Sequence, residues 1–275
     1  MSRLFRITLW VLLAVGIGMT VFQLLGLMII DPAMAVLNIV IGGAYLALVL
    51  FLLSRLPFWP RGTAWVASAL LWGGGTTMIF VFASTPAINL VDTLLPEAVI
   101  FSFGGAYPEE IGKAVGILVI LLSFRQLNRP WHGLAVGMSV GLGFEVFENI
   151  QYGLFGALMD PNSDLIGVAQ MWGARVVAGP LLHVAFCALS GWGIGLALYK
   201  ADWSAWKRLG VAAAGLGAAF LLHFWWNFSP GTDLAYVISL VTCALVLYPA
   251  VIWCCVDASR RSHADNSYAY TAVGA

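Results

Sequence analysis

Two pairs of glutamates lie in stretches of this 275-residue chain that otherwise have the composition of membrane helices. Glu109 and Glu110 are adjacent, and Glu145 comes three residues before Glu148. A charged side chain at the centre of a membrane helix costs at least about 2.5 kcal/mol on insertion scales, so acidic residues there are candidates for function. Clustered carboxylates in a medium of low dielectric can share protons, and such a group can activate a water molecule.

Further polar residues in apolar stretches offer complementary chemistry, and they are Lys113, Asn149, His183, His223 and Asn227. Imidazoles can bind a metal ion or donate a hydrogen bond to an oxyanion. Lys113 follows Glu109 by four residues and Asn227 follows His223 by four, a spacing that places two side chains on one helical face. These residue types predict a polar pocket of carboxylates, imidazoles, amides and one ammonium group.

The elements that must position these residues are membrane helices. The chain is 61% hydrophobic and 9% charged, with a mean hydropathy of +0.92, whereas about a quarter of the residues in soluble domains are charged. Eight apolar runs approach the length of about 20 residues that crosses a hydrocarbon core, and they cover 9–28, 34–53, 64–83, 108–124, 133–154, 178–198, 209–228 and 234–255. The sequence therefore predicts an all-α, polytopic transmembrane bundle of about eight helices. The apolar segment 86–107 is predicted to be interfacial or re-entrant.

Charges between the apolar runs predict the orientation in the membrane, because cytoplasmic loops collect lysine and arginine. Basic residues precede the first run, follow the last and occupy alternate connections: Arg3, Arg6, Arg55, Arg61, Arg125, Arg129, Lys200, Lys207, Arg208, Arg260 and Arg261. Both termini are therefore predicted to be cytoplasmic, in agreement with an even number of spans. One transmembrane domain is predicted over 1–259, with its motif-bearing core at about 107–229. The polar segment 260–275 is predicted to be a disordered cytoplasmic tail.

The polar residues of four predicted helices lie at one depth. Counted at about 1.5 Å per residue from the nearest predicted cytoplasmic anchor, Glu110, Glu145, His183 and His223 lie about 21 to 26 Å away. In a hydrocarbon core of about 30 Å this layer falls in the extracytoplasmic half. Polar faces at that depth must turn away from lipid, so the four helices are predicted to enclose one pocket.

Four short motifs follow one another along the predicted helices four to seven. They are EEIGK (109–113), FEVFEN (144–149), HVAFCALSG (183–191) and HFWWN (223–227). In this order they resemble the motifs of the PrsW family of intramembrane proteases, and more distantly those of the membrane proteases that process prenylated CAAX proteins. The resemblance covers helices four to seven, whereas the other predicted helices are matched by hydropathy alone.

The resemblance implies a peptidase of glutamic or metallo type that cleaves membrane-anchored proteins near the extracytoplasmic boundary. It implies that Glu109 and Glu110 supply the general base for water, while His183, His223 and Asn227 polarise the scissile carbonyl. The alternative role of the two histidines is to hold a metal ion, for which zinc is the candidate. Glu145 and Glu148 are predicted to belong to the same catalytic set, Glu145 lying nearer its centre, with Lys113 and Asn149 in support.

The partners and location also follow from the resemblance. The implied substrate is a membrane-anchored protein, such as an anti-sigma factor or another single-span protein in bacterial signalling, and no nucleic acid is expected to bind. The implied location is the cytoplasmic membrane, where the chain is a multi-pass protein in contact with the lipid bilayer.

Other functions remain open at this point. A transporter could use Glu145 and Glu148 as a proton or cation relay, although the sequence has no inverted repeat. An enzyme acting on lipid-linked substrates would need more basic groups for a phosphate than Lys113 and Arg175 supply. The stretch GMSVG (137–141) matches the GxSxG pattern of serine hydrolases, but that pattern acts at a strand-to-helix turn. Within a predicted helix its glycines indicate close helix packing instead.

Overall fold

The computed structural model describes residues 3–265, which are mainly helical and contain no strand. The helices are α1 (Arg3–Ile30), α2 (Pro32–Leu53), α3 (Ala64–Leu71), α4 (Thr77–Asp92), α5 (Glu97–Ser123), α6 (Pro130–Met159), α7 (Asp164–Val177), α8 (Leu182–Tyr199), α9 (Ala205–Asn227) and α10 (Asp233–His263). A π-helical turn, Trp72–Thr76, joins α3 to α4 without a break. The all-α class predicted from the sequence is thus confirmed for the described residues.

Six helical stretches of the described residues are long and apolar enough to cross a membrane. They are α1, α2, the continuous stretch from α3 to α4, the stretch from α7 to α8, α9 and α10. The two acidic motifs lie on the remaining long helices, α5 with 27 residues and α6 with 30. The protein is therefore a multi-pass membrane protein in which the acid-bearing helices lie among apolar ones.

Helix α6 lies at the centre of the bundle, since most of its residues are buried. Helix α8 packs along it at glycines, where the two backbones approach closely. A Cβ atom on Gly137 would collide with the Cys187 carbonyl oxygen, and one on Gly141 would collide with the carbonyl oxygen of His183. The interpretation of GMSVG as a helix-packing face is confirmed, and the Ser139 hydroxyl donates within α6 to the Ala135 carbonyl oxygen at 2.9 Å.

The π-helical turn fixes α5 relative to the rest of the bundle. Its Trp72 indole Nε1 donates to the Gly112 carbonyl oxygen of α5 at 3.0 Å, in the turn that carries the first glutamate pair. The three glycines that follow Trp72 are all buried. Helix α5 therefore has its acidic face held in register by a side chain from a neighbouring helix.

The predicted interfacial or re-entrant segment 86–107 has no fold of its own. Helix α4 continues to Asp92, and α5 begins at Glu97 after a short turn that contains Pro96. Pro86 and Pro108 lie inside these two helices and end neither of them. Contacts with neighbouring helices can compensate a proline within a membrane helix, and α4 and α5 pack against each other. The apolar segment therefore extends the helices on either side.

Two other regions also differ from the sequence-based prediction. Residues 155–177, which were assigned to no span, contain the amphipathic helix α7, which packs on α6. The predicted disordered tail does not begin at Arg260, because α10 continues through this residue to His263. The remainder of that predicted tail, 266–275, lies outside the described residues.

Candidate active site

The EEIGK motif forms a buried ionic group on the inner face of α5. The Lys113 Nζ lies 2.9 Å from the Glu109 Oε2 and 3.1 Å from the Glu110 Oε1. Lys113 and Glu110 are completely buried, whereas Glu109 is slightly exposed. The ammonium group also lies 3.7 Å from the centre of the Phe144 ring on α6. One ammonium group thus bridges two carboxylates of the same helix.

His183, at the start of α8, extends this group to α6. Its Nδ1 lies 3.0 Å from the Lys113 Nζ, and its Nε2 lies 2.8 Å from the Glu148 Oε2. An ammonium group can only donate hydrogen bonds and an ionised carboxylate can only accept them. The His183 ring therefore carries its proton on Nε2, and the lone pair of its Nδ1 accepts from the Lys113 ammonium group of α5.

His223, near the end of α9, approaches the group from another side. Its Nδ1 lies 2.9 Å from the Glu110 Oε1, and its Nε2 lies 3.9 Å from the Glu109 Oε2. The Phe186 ring stacks on the imidazole with a centroid separation of 4.9 Å. By the same donor and acceptor argument, the His223 Nδ1 donates to Glu110, which leaves the lone pair on Nε2.

The four side chains have the composition of a metal site. Glu109, Glu110, His183 and His223 each offer one ligand atom, and these atoms lie within 4.8 Å of one another. Two histidines and a carboxylate are a known ligand set for catalytic zinc. The Glu110 Oε2 is buried without a hydrogen-bond partner among the described residues, an arrangement that an additional cation would relieve. The donor set therefore fits a divalent metal ion, provided that the His183 Nδ1 exchanges its contact with the Lys113 ammonium group for the ion.

Comparisons with known proteins agree with this geometry. A family model described as PrsW family intramembrane metalloprotease matches residues 61–254, which carry all four motifs. The chain belongs to the PrsW family. The Protease PrsW of Shouchella clausii (strain KSM-K16) is 30% identical over 172 residues, which are 60% of this chain and 70% of that relative. No solved structure matches the chain. The resemblance predicted from the motifs is thus confirmed, and membership of the PrsW family makes the protein a peptidase.

In this PrsW family member, the two glutamates of the second pair, Glu145 and Glu148, contact different groups. Glu148 reaches the His183 ring, but the carboxylate of Glu145 turns to the first turn of α8. The Glu145 Oε2 accepts from the backbone N–H of His183 at 3.0 Å, and its Oε1 accepts from the Tyr45 hydroxyl at 2.6 Å. Glu145 is thus a cap for the start of α8, where unpaired N–H groups favour an anion. Glu148, and not Glu145, is the member of this pair nearer the centre of the site.

Two cavities reach the site from different directions. One, of about 290 Å³, is lined by Glu109, Glu148, His183, His223 and Asn227, with aromatic side chains around them. The other, of about 320 Å³, lies between α4 and α6 and is lined by Met78, Val81, Phe144, Gln151, Tyr152, Phe155 and the same two glutamates. Glu109, Glu148 and Tyr152 therefore line both cavities.

Sequence reasoning gave no site role to Tyr45. It placed Arg175 at the outer membrane edge, with steering of a substrate or neutralisation of the acidic residues as the alternative role. Arg175, on α7, donates to the Glu148 carboxylate and to the Asn149 side-chain oxygen. Tyr45, on α2, donates to Glu145 as described above. The sequence indicated Arg175, because it is the only lysine or arginine from 130 to 199. A tyrosine in an apolar helix carries no such signal.

Proposed function

We propose that this PrsW family peptidase hydrolyses a peptide bond of a membrane-anchored protein near the extracytoplasmic boundary of the membrane. The proposed catalytic set is Glu109, Glu110, Glu148, His183, His223 and Asn227, with Lys113 and Asn149 in support and Glu145 in the capping position described above. The observation that carries the proposal is the convergence of Glu109, Glu110, His183 and His223 beside a cavity.

Glu109 is proposed as the general base. Its carboxylate lines both cavities, whereas Glu110 is completely buried and bonded to Lys113 and His223. A base must lie within hydrogen-bond reach of the water whose proton it takes, and the cavity wall satisfies this requirement. Asn227 lines the same cavity, where its amide can donate to the scissile carbonyl oxygen.

A zinc ion is the proposed cofactor. His183 and His223, with the Glu110 carboxylate, would hold it, and when bound it would act as a Lewis acid that polarises a carbonyl group or lowers the pKa of water. The charges support an additional cation, because three carboxylates of the group (Glu109, Glu110 and Glu148) face two cationic side chains (Lys113 and Arg175) within the described residues. Lys113 would still neutralise Glu109 next to such an ion.

The route of the substrate is proposed from the two cavities. The cavity between α4 and α6 has mainly apolar walls, which suit a segment of a membrane-anchored protein. Freed backbone groups of that segment need polar partners inside the membrane, and the cavity that contains the histidines can provide them. The bond to be cut would lie at Glu109, which lines both cavities.

The proposed topology has eight spans, with both termini in the cytoplasm of a bacterial cell and the protein in its cytoplasmic membrane. It follows from the basic residues in alternate connections and places the active site in the extracytoplasmic half. One catalytic domain is proposed to extend over 1–259. The proposed substrate is a single-span protein, such as an anti-sigma factor, whose cleavage would start a signal.

The test is cleavage of a candidate single-span protein by the pure enzyme in liposomes, with the products identified by mass spectrometry. A cut in the extracytoplasmic half of the substrate's span that is absent with Glu109→Gln supports the proposal. Cuts confined to the cytoplasmic half would contradict the proposed position of the site. An absence of cleavage together with ion flux that depends on Glu148 would instead favour a transporter.

A further inference from the structure

We infer that Arg175 is a positioning residue of the active site, which acts through the Glu148 carboxylate to hold the His183 ring with its proton on Nε2 and its Nδ1 facing Lys113 of α5. The inference rests on the proposed function for the role of His183. Arg175 lies on α7, outside the motifs that define the catalytic set, and is contributed by a helix that carries no other member of that set.

The contacts of Arg175 all lie on one surface of α6. Its Nε donates to the Asn149 side-chain oxygen, and a terminal nitrogen donates to the Glu148 Oε2. The guanidinium carbon lies 4.4 Å from the centre of the Tyr152 ring, one helical turn beyond Glu148. The guanidinium group is thus held by two hydrogen bonds and an aromatic face, so its position is fixed in several directions.

One oxygen atom connects Arg175 to the histidine. The Glu148 Oε2 accepts from Arg175 and also lies 2.8 Å from the His183 Nε2. A carboxylate held in this way orients an imidazole and selects its tautomer, as carboxylate–histidine pairs do in metal sites. The Lys113 ammonium group at Nδ1 requires the same tautomer from the opposite side of the ring.

The backbone of α7 is anchored independently of the ionic group. Gly167 of α7 lies against Gly156 of α6, where a Cβ atom on either glycine would collide with the other's carbonyl oxygen. The Trp172 indole donates to the Asn38 side-chain oxygen of α2 at 2.7 Å. Arg175 follows Trp172 by three residues, so its side chain extends from a helix that is fixed to both α2 and α6.

The charge of Arg175 also separates the two acidic motifs. Arg175 pairs with Glu148, and Lys113 pairs with Glu109 and Glu110. Without Arg175, the Glu148 carboxylate would compete for the Lys113 ammonium group, and its hold on His183 would weaken. Lysine could replace the charge of Arg175, but it lacks the planar fork that bonds Glu148 and Asn149 together.

The first test is the tautomer of His183, measured by ¹⁵N NMR of the full-length protein in detergent after any bound metal has been removed with a chelator. The chain has four histidines, so labelled histidine gives few ring signals, and the His183→Gln variant assigns those of His183. We expect one tautomer, protonated on Nε2, in the parent protein and a mixture of both in Arg175→Gln. Arg175→Lys should give a smaller change. The Arg175→Lys variant also provides the measurement if Arg175→Gln does not fold.

The matched control is Arg129→Gln, which removes an arginine from another carboxylate pair. The Arg129 Nε lies 2.6 Å from the Asp265 Oδ2, away from the site. This variant should leave the His183 signals unchanged. A single unaltered tautomer in folded Arg175→Gln and Arg175→Lys would overturn the inference.

The second test is zinc affinity in competition with a chelator. Loss of the direct hydrogen-bond partner of a metal-binding histidine lowers affinity about 10- to 100-fold. We expect a loss of this size in Glu148→Gln and a smaller loss in Arg175→Gln, which leaves Glu148 in place. Because Arg175 acts through Glu148, the double variant Arg175→Gln/Glu148→Gln should bind zinc no more weakly than Glu148→Gln alone. If the losses of zinc affinity in the two single variants multiply in the double variant, Arg175 does not act through Glu148. If no variant binds zinc, the proposed cofactor fails, and the NMR result alone decides the role of Arg175.

Discussion

Glu145 and His183 are joined through the backbone and not through the imidazole, since the Glu145 Oε2 accepts from the His183 main-chain N–H at 3.0 Å. The His183 ring extends away from this contact and meets Glu148. The two glutamates of FEVFEN therefore act on one histidine in different ways. Glu145 fixes where α8 begins, and Glu148 fixes how the ring is oriented.

Replacement of Glu145 should reduce the stability of the protein more than its turnover. We expect Glu145→Ala to lower the free energy of unfolding by about 0.5 to 2 kcal/mol, the usual cost of losing a helix cap, with a larger loss if the Tyr45 hydroxyl is left unpaired. Tyr45→Phe, which removes the other partner of Glu145, should cost less. Thermal unfolding in detergent measures both. Loss of all turnover in fully stable Glu145→Ala would show that Glu145 takes part in the chemistry.

Replacement of Glu109 should reduce turnover and leave the stability of the protein largely unchanged. Glu109→Gln keeps the size of the side chain and removes its basicity, so turnover should fall at least about 100-fold, as expected for loss of a general base. Folding should be preserved, because Glu110 still neutralises Lys113. Ser139→Ala is the control and should keep full activity, since its hydroxyl is bonded within α6. An inactive Ser139→Ala beside an active Glu109→Gln would reverse the assignment.

Metal content provides a third prediction. The purified protein should contain one zinc ion, and removal of zinc by a chelator should abolish turnover, which added zinc should restore. His183→Ala and His223→Ala should each lose the ion, because each removes one imidazole of the four-residue group. Elemental analysis by mass spectrometry measures the content. Full activity in a protein free of metal would indicate a glutamic mechanism, in which the carboxylates alone activate water.

The proposed topology can be tested with reporter fusions. Reporters placed after Arg129 and after Lys200 should be cytoplasmic, because basic residues mark these connections. A reporter after Asp160, in the connection between α6 and α7, should be on the opposite side. A cytoplasmic signal after Asp160 would move the active site to the other half of the membrane.

Much of this architecture was determined by the sequence alone. Apolar runs of the length of a membrane define helices, because no other backbone arrangement in a span satisfies its own hydrogen bonds except a closed barrel. Glutamate and histidine are costly in such runs, so Glu109, Glu110, His183 and His223 were identifiable before the structure was considered, and the structure brings all four together.

The tertiary structure alone decided the separate roles of Glu145 and Glu148. Residues three apart on a helix differ by about 60° around its axis and by about 4.5 Å along it. They share one face in a sequence pattern, yet they can meet different neighbours. Here α8 begins beside Glu145, while the His183 ring and Arg175 lie beside Glu148.

The recruitment of Arg175 and Tyr45 likewise required the tertiary structure. Arg175 is contributed by α7, which lies in a stretch that hydropathy assigned to a connection, and Tyr45 is 100 residues from Glu145 in the chain. Hydropathy and helical spacing specify which face of a helix avoids lipid. They do not specify which helix packs against that face, because the choice depends on close contacts such as those of Gly156 with Gly167, formed only when the whole bundle assembles.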